Sequence, residues 1–426
     1  MKPVYTAALP TAAPPALHRG WVMVLVAIVG LCLSVGSVLV YTFGILAKPL
    51  GSAFAANRGS MALAVTFLNL MVAFSSPITG RLADRFGPKR VIMVSLAGLA
   101  GCLFLLSRAT PPVWHLWVLY ALAGLAGAGS TPVAYARVVT NWFDRNRGLA
   151  LGVASTGIGL GGLIMPVLTQ RLVETVGWQQ TYLLFGGGCL FIALPVVALL
   201  LKNRPEDVGL RVDGGAVAGP AAAVAPAAGL TLPEALRTRT FWMLCLVFFG
   251  IAASGLGALA HLASMLTDQG FTPQKAALAT SLFGAATIVG RVGNGVLVDR
   301  YFAPRVAAVA FAGAAIGLGL LWGGGTGAVV FVAAVLIGLA IGAESDIMPY
   351  IVSRYFGVRA MGALYGIIFG AYTIGAAAGP YLFGAGFDWT GSYRLPFACA
   401  GGISLLAAAG ILTLGNYPTA HRNAES

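Results

Sequence analysis

A short charged turn sets the plan of this chain: Gly80-Arg81-Leu82-Ala83-Asp84-Arg85-Phe86-Gly87-Pro88-Lys89-Arg90. It separates two long apolar runs, residues 61–78 and 91–106. A degraded copy at 295–305 keeps Asp299 and Arg300 but loses the second glycine. Asp299 follows Asp84 by 215 positions, about half of the 426-residue chain. A charged turn between apolar segments, repeated once in each half, indicates a duplicated membrane protein.

The composition excludes a water-soluble protein. Hydrophobic residues make up 58% of the chain and charged residues only 9%, with a mean hydropathy of +0.87. A soluble domain carries about 25% charged residues. Apolar runs of about 20 residues are long enough to cross the bilayer as helices. The chain is therefore predicted to be an integral membrane protein, surrounded by the lipid bilayer.

Twelve membrane spans are predicted from the apolar runs. All eight tryptophans lie at or near span ends, as an interfacial aromatic belt requires. The spans form two six-helix bundles, 20–201 and 241–415, joined by a central loop, 202–240. Residues 1–19 are predicted to be a disordered tail, and 416–426 a second tail. The predicted spans are 20–47, 61–79, 91–109, 114–140, 148–171, 180–201, 241–265, 275–297, 306–322, 328–352, 361–385 and 393–415.

The net charge of +13 is attributed to membrane topology. Most of the 26 Lys and Arg residues fall in segments on one side of the predicted spans. By the positive-inside rule this side is cytoplasmic, and it carries both termini and the central loop. The protein is therefore predicted to lie in the cell inner (plasma) membrane. A nucleic-acid partner is not expected.

The cysteines and the motif content give no sign of an enzyme. The five cysteines lie inside apolar runs without motif spacing, so neither a disulfide framework nor a metal site is indicated. The sequence has no nucleotide motif and no nucleophile elbow. No catalytic residue and no cofactor are predicted.

Glycines recur between the two halves. A shift of 214 residues aligns four glycines and one proline in the region of span five with the same residue types in the region of span eleven. Because each half has six spans, the two halves have the same orientation in the membrane. Small residues let membrane helices approach closely, and proline can bend them. The superimposed pairs are Gly148 and Gly362, Gly152 and Gly366, Gly161 and Gly375, Pro166 and Pro380, and Gly177 and Gly391.

The charged turn resembles the signature of the major facilitator superfamily, G-x-x-x-D-R-x-G-x-K/R-R/K between spans two and three. The resemblance implies an all-α membrane protein with twelve transmembrane helices in two pseudo-symmetric six-helix bundles. It covers nearly the whole chain apart from the tail and the central loop. The matching residues are Gly80, Asp84, Arg85, Gly87, Lys89 and Arg90.

Span five resembles the monocarboxylate porter motif Y-F-x-K-R-R-x-L-A-x-G-x-A-x-A-G-x-x-x-G. Residues 142–161 match most of its positions, with Trp142, Asn146 and Thr156 as departures. The acidic N-terminal element of that family is missing, and span one contains no lysine before Lys48. These absences favour a prokaryotic relative or the oxalate–formate antiporter branch.

Ionisable residues inside a membrane are costly and mark candidate functional sites. Arg291 lies eight residues before Asp299, about 12 Å from the span end and close to the midplane. It matches the substrate-binding arginine of the resembled family, although Thr287 replaces the family's nearby aspartate. Glu344 and Asp346 lie about 15 and 12 Å from Arg354 by the helical rise. They point in different directions on an ideal helix, and they are candidates for proton coupling or for pairing with Arg291.

Further polar side chains on the spans are candidates with weaker support. Arg137 is expected to extend its head to the membrane interface, with a gate or a second anion contact as the alternative. Five neutral side chains are candidate substrate contacts, although each is more often a core group: Tyr41, Asn69, Tyr135, Tyr350 and Tyr372.

The charged turns are predicted to latch the two halves together on the cytoplasmic side. Asp84 is expected to pair with Arg85 or Arg90, or to face the positive N-terminus of span eleven. The imperfect second copy predicts that the two halves are latched unequally. The predicted latch comprises Gly80, Asp84, Arg85, Gly87, Arg90, Asp299 and Arg300.

Taken together, the sequence predicts a secondary active transporter that moves a small, monocarboxylate-like organic anion by alternating access. Coupling to a proton or exchange of anions is expected, and so is a monomer. Two alternatives stay open, namely an efflux pump for hydrophobic compounds and a membrane sensor of the same fold that does not transport.

Overall fold

The computed structural model describes residues 19–56, 58–214, 229–324 and 327–418. Almost all of the predicted N-terminal tail and the Gly/Ala-rich part of the central loop lie outside the described residues. The part of the chain that is described is helical and contains no β-strand beyond a single bridge between Gly229 and Gly357. The predicted fold class, an all-α membrane protein, is confirmed.

The helices follow the apolar runs but extend past the predicted ends. Span one is built from Arg19–Cys32 and Phe43–Ala53, and span four from Trp114–Gly127 and Pro132–Trp142. Arg147–Gly188 and Leu194–Leu200 together form spans five and six. The remaining spans are Arg58–Phe86, Pro88–Leu106, Arg239–Asp268, Pro273–Arg300, Ala303–Trp322, Ala328–Phe356, Met361–Thr390 and Arg394–Leu412.

Spans five and six run on as one apolar stretch, Arg147–Leu200, which is 54 residues long. At 1.5 Å per residue it would measure about 80 Å, far more than the bilayer core of about 30 Å. Gly177 breaks it with φ 83° and ψ 169°, a conformation that glycine adopts without steric strain. Eleven described stretches are long and apolar enough to cross a membrane, and this one holds two crossings.

Span one is interrupted near its middle by a π-helical turn, Gly36–Val40. Such a break frees backbone groups that lipid cannot satisfy. The hydroxyl groups of two serines form hydrogen bonds with backbone groups beside this break. The Ser37 hydroxyl donates to the Leu31 carbonyl at 2.8 Å, and the Ser130 hydroxyl of span four accepts from the Val35 amide at 3.1 Å.

The two halves meet along two pairs of helices, span two on span eleven and span five on span eight. Glycines permit this close approach. A Cβ atom on Gly80 would collide with the backbone of Gly362, and one on Gly148 would collide with the carbonyl of Gly295. Four of the glycines that the sequence repeats, Gly148, Gly152, Gly362 and Gly366, therefore lie at the interface between the halves, whereas Gly161 and Gly375 contact helices of their own half.

The central segment is attached to both halves at its described ends. On the N-terminal side, Asp213 accepts hydrogen bonds from the amides of Asp144 and Arg145, each at 3.1 Å. On the C-terminal side, the Leu230 amide donates to the Phe356 carbonyl at 2.8 Å. A short helix, Leu232–Leu236, follows, and its Glu234 accepts from the Thr231 amide, which lowers the pKa of Glu234. We call the side of the molecule that carries this segment and both charged turns the central face.

Candidate functional site

Asp84 joins the two halves at the central face. Its two carboxylate oxygens accept hydrogen bonds from the amides of Gly362 and Ala363, at 3.0 and 2.9 Å. These amides belong to the first turn of span eleven, where unpaired N–H groups and the helix dipole favour a negative charge. The predicted contact between Asp84 and the start of span eleven is confirmed.

Asp299 makes the equivalent contact in the second half. Its oxygens accept from the amides of Gly148 and Leu149, at 2.7 and 2.8 Å, in the first turn of span five. We call each of these contacts between an aspartate and two backbone amides a clamp. The clamps of Asp84 and Asp299 have the same geometry, so the Asp299 clamp is not weakened by the loss of the second glycine of the motif. The lost glycine therefore does not make the latch unequal, because two backbone amides and one carboxylate form each contact.

The difference between the clamps lies in Arg137. Its Nε atom is 3.0 Å from the Asp84 carboxylate, and both side chains are largely buried. The expectation that Arg137 extends to the membrane interface was wrong, and so was the expectation that Asp84 pairs with Arg85 or Arg90. Spans two and four are rotated so that this pair points inward. Among the described residues, no ion pair holds Asp299 in the same way.

The other basic residues of the two motifs lie outside the contact. Arg85, Arg90 and Arg300 are exposed, and Arg85 packs over the ring of Phe86 at 5.1 Å. Gly87, with φ 85°, precedes span three. The structure therefore does not bring Arg85, Gly87, Arg90 or Arg300 to the opposite half.

A second group of charges closes the central face between spans five and ten. Asp144 forms ion pairs with Arg147 at 2.9 Å and with Arg354 of the other half at 3.2 Å. The Arg147 guanidinium also donates to the Ser353 hydroxyl at 3.0 Å. Tyr350 lies here, with Arg354 over its ring at 5.3 Å. This predicted substrate contact therefore lies at the closed face, away from Arg291.

Arg291 lies where the two halves meet at the centre of the molecule. Its backbone is enclosed by glycines on two helices. A Cβ atom on Gly152 of span five would be 2.6 Å from the Arg291 carbonyl, and one on Gly342 of span ten would be 2.9 Å from the Arg291 amide. Small residues thus hold span eight against both neighbours and fix the position of this arginine.

Gly152→Ala is expected to displace Arg291, because the added methyl group meets backbone that cannot rotate away. Overpacking of this kind destabilises by about 1–3 kcal/mol. We expect a lower midpoint of thermal unfolding and weaker substrate uptake, both measurable on purified protein. Gly293→Ala on span eight is the matched control, since a Cβ atom there has no neighbour within 4 Å. Equal behaviour of the two variants would contradict this account of the helix contact.

The Arg291 side chain is only 6% exposed and has unused donors. Its Nε and Nη1 atoms have no hydrogen-bond partner among the described residues. The charged and polar groups within electrostatic range come from three other spans: Tyr41, Glu344, Asp346, Tyr365 and Tyr372. A buried guanidinium with free donors is an arrangement suited to an anionic ligand.

Glu344 and Asp346 are the acids closest to this centre. Both are buried, with 0% and 1% exposure. Glu344 faces Tyr372 on span eleven, whereas Asp346 faces Ser155 on span five. Neither carboxylate reaches ordinary hydrogen-bond geometry with a described residue, and neither forms an ion pair with Arg291. The acids point to different neighbours, in agreement with their spacing of two residues on a helix.

The neighbours of the Arg291 cluster differ in their exposure. A cavity of about 10 Å³, roughly the room for one water molecule, is lined by Ser155, Tyr365 and Tyr135, whose hydroxyl has no partner among the described residues. Tyr41 lies deep among protein atoms and yet is 43% exposed. Tyr41 lies within electrostatic range of Arg291 in the other half, and we call the exposed space beside Tyr41, on the side of Arg291 away from the central face, the crevice.

One predicted residue lies outside this cluster, and two members of the cluster were not predicted. Asn69 is half-buried on span two, and no hydrogen bond in the described part of the chain joins it to this cluster. Tyr365 and Ser155 were missed by the sequence reading, although each lies close to a glycine of the internal repeat. Where the chain is described, no group of three His, Cys, Asp or Glu residues is arranged to hold a metal.

Comparison with known proteins gives concordant matches. A family model described as Major Facilitator Superfamily matches residues 26–268 and 242–426. The uncharacterised transporter YhjX of Escherichia coli K12 is 30% identical over 346 residues, covering 79% of this chain and 81% of that protein. Human Monocarboxylate transporter 11 is 29% identical over 412 residues, covering 92% and 82%.

Two further matches are to another bacterial relative and to a solved structure. The probable sulfoacetate transporter SauU of Cupriavidus necator is 28% identical over 390 residues, covering 82% of this chain and 86% of that protein. The crystal structure of the transporter FucP in the outward conformation has a TM-score of 0.70 at 15% identity, covering 93% of this chain and 98% of that one. This last match shows the fold alone.

Proposed function

Because this chain belongs to the Major Facilitator Superfamily of transporters, we propose that it carries a small organic anion with a carboxylate group across the cytoplasmic membrane by alternating access. The central face is cytoplasmic in this proposal, and the chain acts as a monomer. The observation that carries the proposal is the buried Arg291 with two donor atoms free of protein partners. A guanidinium binds a carboxylate through parallel hydrogen bonds and remains charged at any physiological pH.

The placement of Arg291 supports transport rather than static binding. Substrate sites of such carriers lie near the midplane, at the interface between the two repeats. Arg291 lies between span five of one half and span ten of the other, which supports such a site. The names of two relatives, a monocarboxylate transporter and a probable sulfoacetate transporter, favour a small acid as the cargo.

The closed central face supports the alternating mechanism. Asp84, Asp299 and the pair of Asp144 with Arg354 hold the two halves together there. A charge at a helix N-terminus contributes up to about 2 kcal/mol in a partly buried setting. Contacts of this strength can break and re-form in each cycle. When they break, Arg291 becomes reachable from the central face.

A test of the proposed function uses the full chain in proteoliposomes. We expect counterflow of a labelled short-chain monocarboxylate against an excess of the unlabelled acid, and inhibition by other small carboxylates. The same panel should raise the unfolding free energy of purified protein, by about 2.7 kcal/mol at a hundredfold excess over Kd. Counterflow of a hydrophobic cation without any of a carboxylate would contradict the proposal and favour the efflux alternative. Protein-free liposomes are the control.

A further inference from the structure

The buried charges at the centre do not balance. Arg137 is neutralised by Asp84, and Arg147 by Asp144. This leaves Arg291 with the two acids Glu344 and Asp346. One positive and two negative groups in a water-poor environment cannot all be ionised without a large penalty, because an unpaired buried charge is strongly disfavoured.

One acid must therefore hold a proton in the empty carrier. Arg291 compensates a single carboxylate, and neither acid has another cation or an ordinary hydrogen bond among the described residues. The other groups that face the acids are uncharged hydroxyls: Tyr41 of span one, Ser155 of span five, and Tyr365 and Tyr372 of span eleven.

Access to water distinguishes the two acids. Glu344 lies behind Tyr372, which is half-buried and next to the exposed Tyr41 of the open crevice. Asp346 lies instead with Ser155 and Tyr365, two buried residues that line the small cavity of about 10 Å³. In this conformation a proton from the crevice can reach Glu344 far more directly than Asp346.

Building on the transport function above, we propose that Glu344 is the acid that exchanges the coupling proton, whereas Asp346 keeps its proton throughout the cycle. In the empty carrier the ionised Glu344 is the counter-charge of Arg291. When a substrate carboxylate binds Arg291 it replaces Glu344, and Glu344 takes one proton from the water of the crevice. Substrate and proton leave together on the other side, and Glu344 returns to its ionised form.

The charge balance sets the stoichiometry. In the empty carrier, the charges of Arg291 and Glu344 cancel. Binding adds one anion and one proton, so the loaded carrier has the same net charge. One proton therefore accompanies each carboxylate, and no net charge crosses the membrane. At equilibrium, an inward gradient of one pH unit should accumulate the carboxylate about tenfold, and a potassium diffusion potential alone should accumulate none.

Two amide variants separate the roles, because an amide imitates the protonated acid. E344Q should retain counterflow but lose the tenfold accumulation driven by the pH gradient. D346N should keep the tenfold accumulation driven by the pH gradient, which is an equilibrium value and does not depend on the rate of transport. D346A, which removes the polar group, should be the weaker transporter of the two Asp346 variants. Infrared spectra of wild-type protein at neutral pH should contain the C=O band of a protonated carboxyl, and D346N should lack that band.

Other outcomes decide against the proposal. If folded D346N loses gradient-driven uptake, or if E344Q keeps it, the assignment of the two acids is overturned. Potential-driven accumulation in the wild type overturns the stoichiometry. Wild-type counterflow of a carboxylate that is insensitive to the pH gradient overturns the inference but leaves the proposed function intact. If the wild type shows no carboxylate counterflow at all, it is the proposed function that fails.

Discussion

Arg291→Ala is expected to abolish carboxylate binding and counterflow while the protein still inserts and folds. Removing one partner of a buried, hydrogen-bonded charge pair costs about 2–5 kcal/mol. That loss corresponds to a roughly 30-fold to several-thousandfold weaker Kd. Binding is measured by thermal stabilisation of purified protein and transport by counterflow in proteoliposomes.

Arg291→Lys is the informative companion to the alanine variant. Lysine keeps the positive charge but offers a point charge in place of the planar fork. We expect partial binding, weaker than that of the wild type and stronger than that of the alanine variant. Arg85→Ala is the matched control, since this exposed arginine contacts no group of the central site. Normal counterflow by Arg291→Ala would remove Arg291 from the substrate site.

The second large effect is expected at the central face. Asp84→Asn keeps the shape of the side chain but removes its charge, so one clamp is weakened and Arg137 loses its partner. An unpaired buried charge costs about 3–5 kcal/mol. This penalty falls mainly on the closed state, because water reaches Arg137 when the face opens. The variant should therefore bind substrate but favour the state that is open to the central face.

A cysteine reporter measures this shift. Ser76 is buried on span two against Gly366 of the other half, so a cysteine placed there reacts with a thiol reagent only when the face opens. In a background without the exposed Cys399, Asp84→Asn should raise the labelling rate by at least about tenfold. Asp299→Asn is the paired comparison and should have the smaller effect, because no ion pair depends on it in the described residues. Unchanged labelling in Asp84→Asn, or a larger effect in Asp299→Asn, would contradict the clamp mechanism.

The spans could be predicted because the bilayer restricts the possible structures of a segment that crosses it. A membrane-spanning segment must satisfy its own backbone hydrogen bonds, so apolar runs of sufficient length become helices. The glycine repeat also indicated where helices approach closely. Each of these signals is local to one helix or one repeat.

Pairing across helices could not be predicted in the same way. The contact of Asp84 with Arg137 depends on how spans two and four are rotated, and hydropathy along each span does not fix that rotation. Tyr350 follows Glu344 by six positions, about 240° around the helix, and so it lies on a different side of span ten. Asp213 accepts hydrogen bonds from the turn before span five. It belongs to a loop, and the sequence of this loop has no hydrophobic period from which its course could be predicted.

The π-helical turn divides span one into two helical segments that can move relative to each other. Its first part, Arg19–Cys32, packs against span five, whereas Tyr41 and the helix Phe43–Ala53 lie beyond the π-helical turn. Hinges of this kind absorb backbone rotation at a few residues and let one segment swing while the other stays in place. We expect the second part to move over the crevice and to occlude a bound anion before the clamps at the opposite face release. The carrier would then pass through a state sealed from both sides, which prevents an ion leak in each turnover.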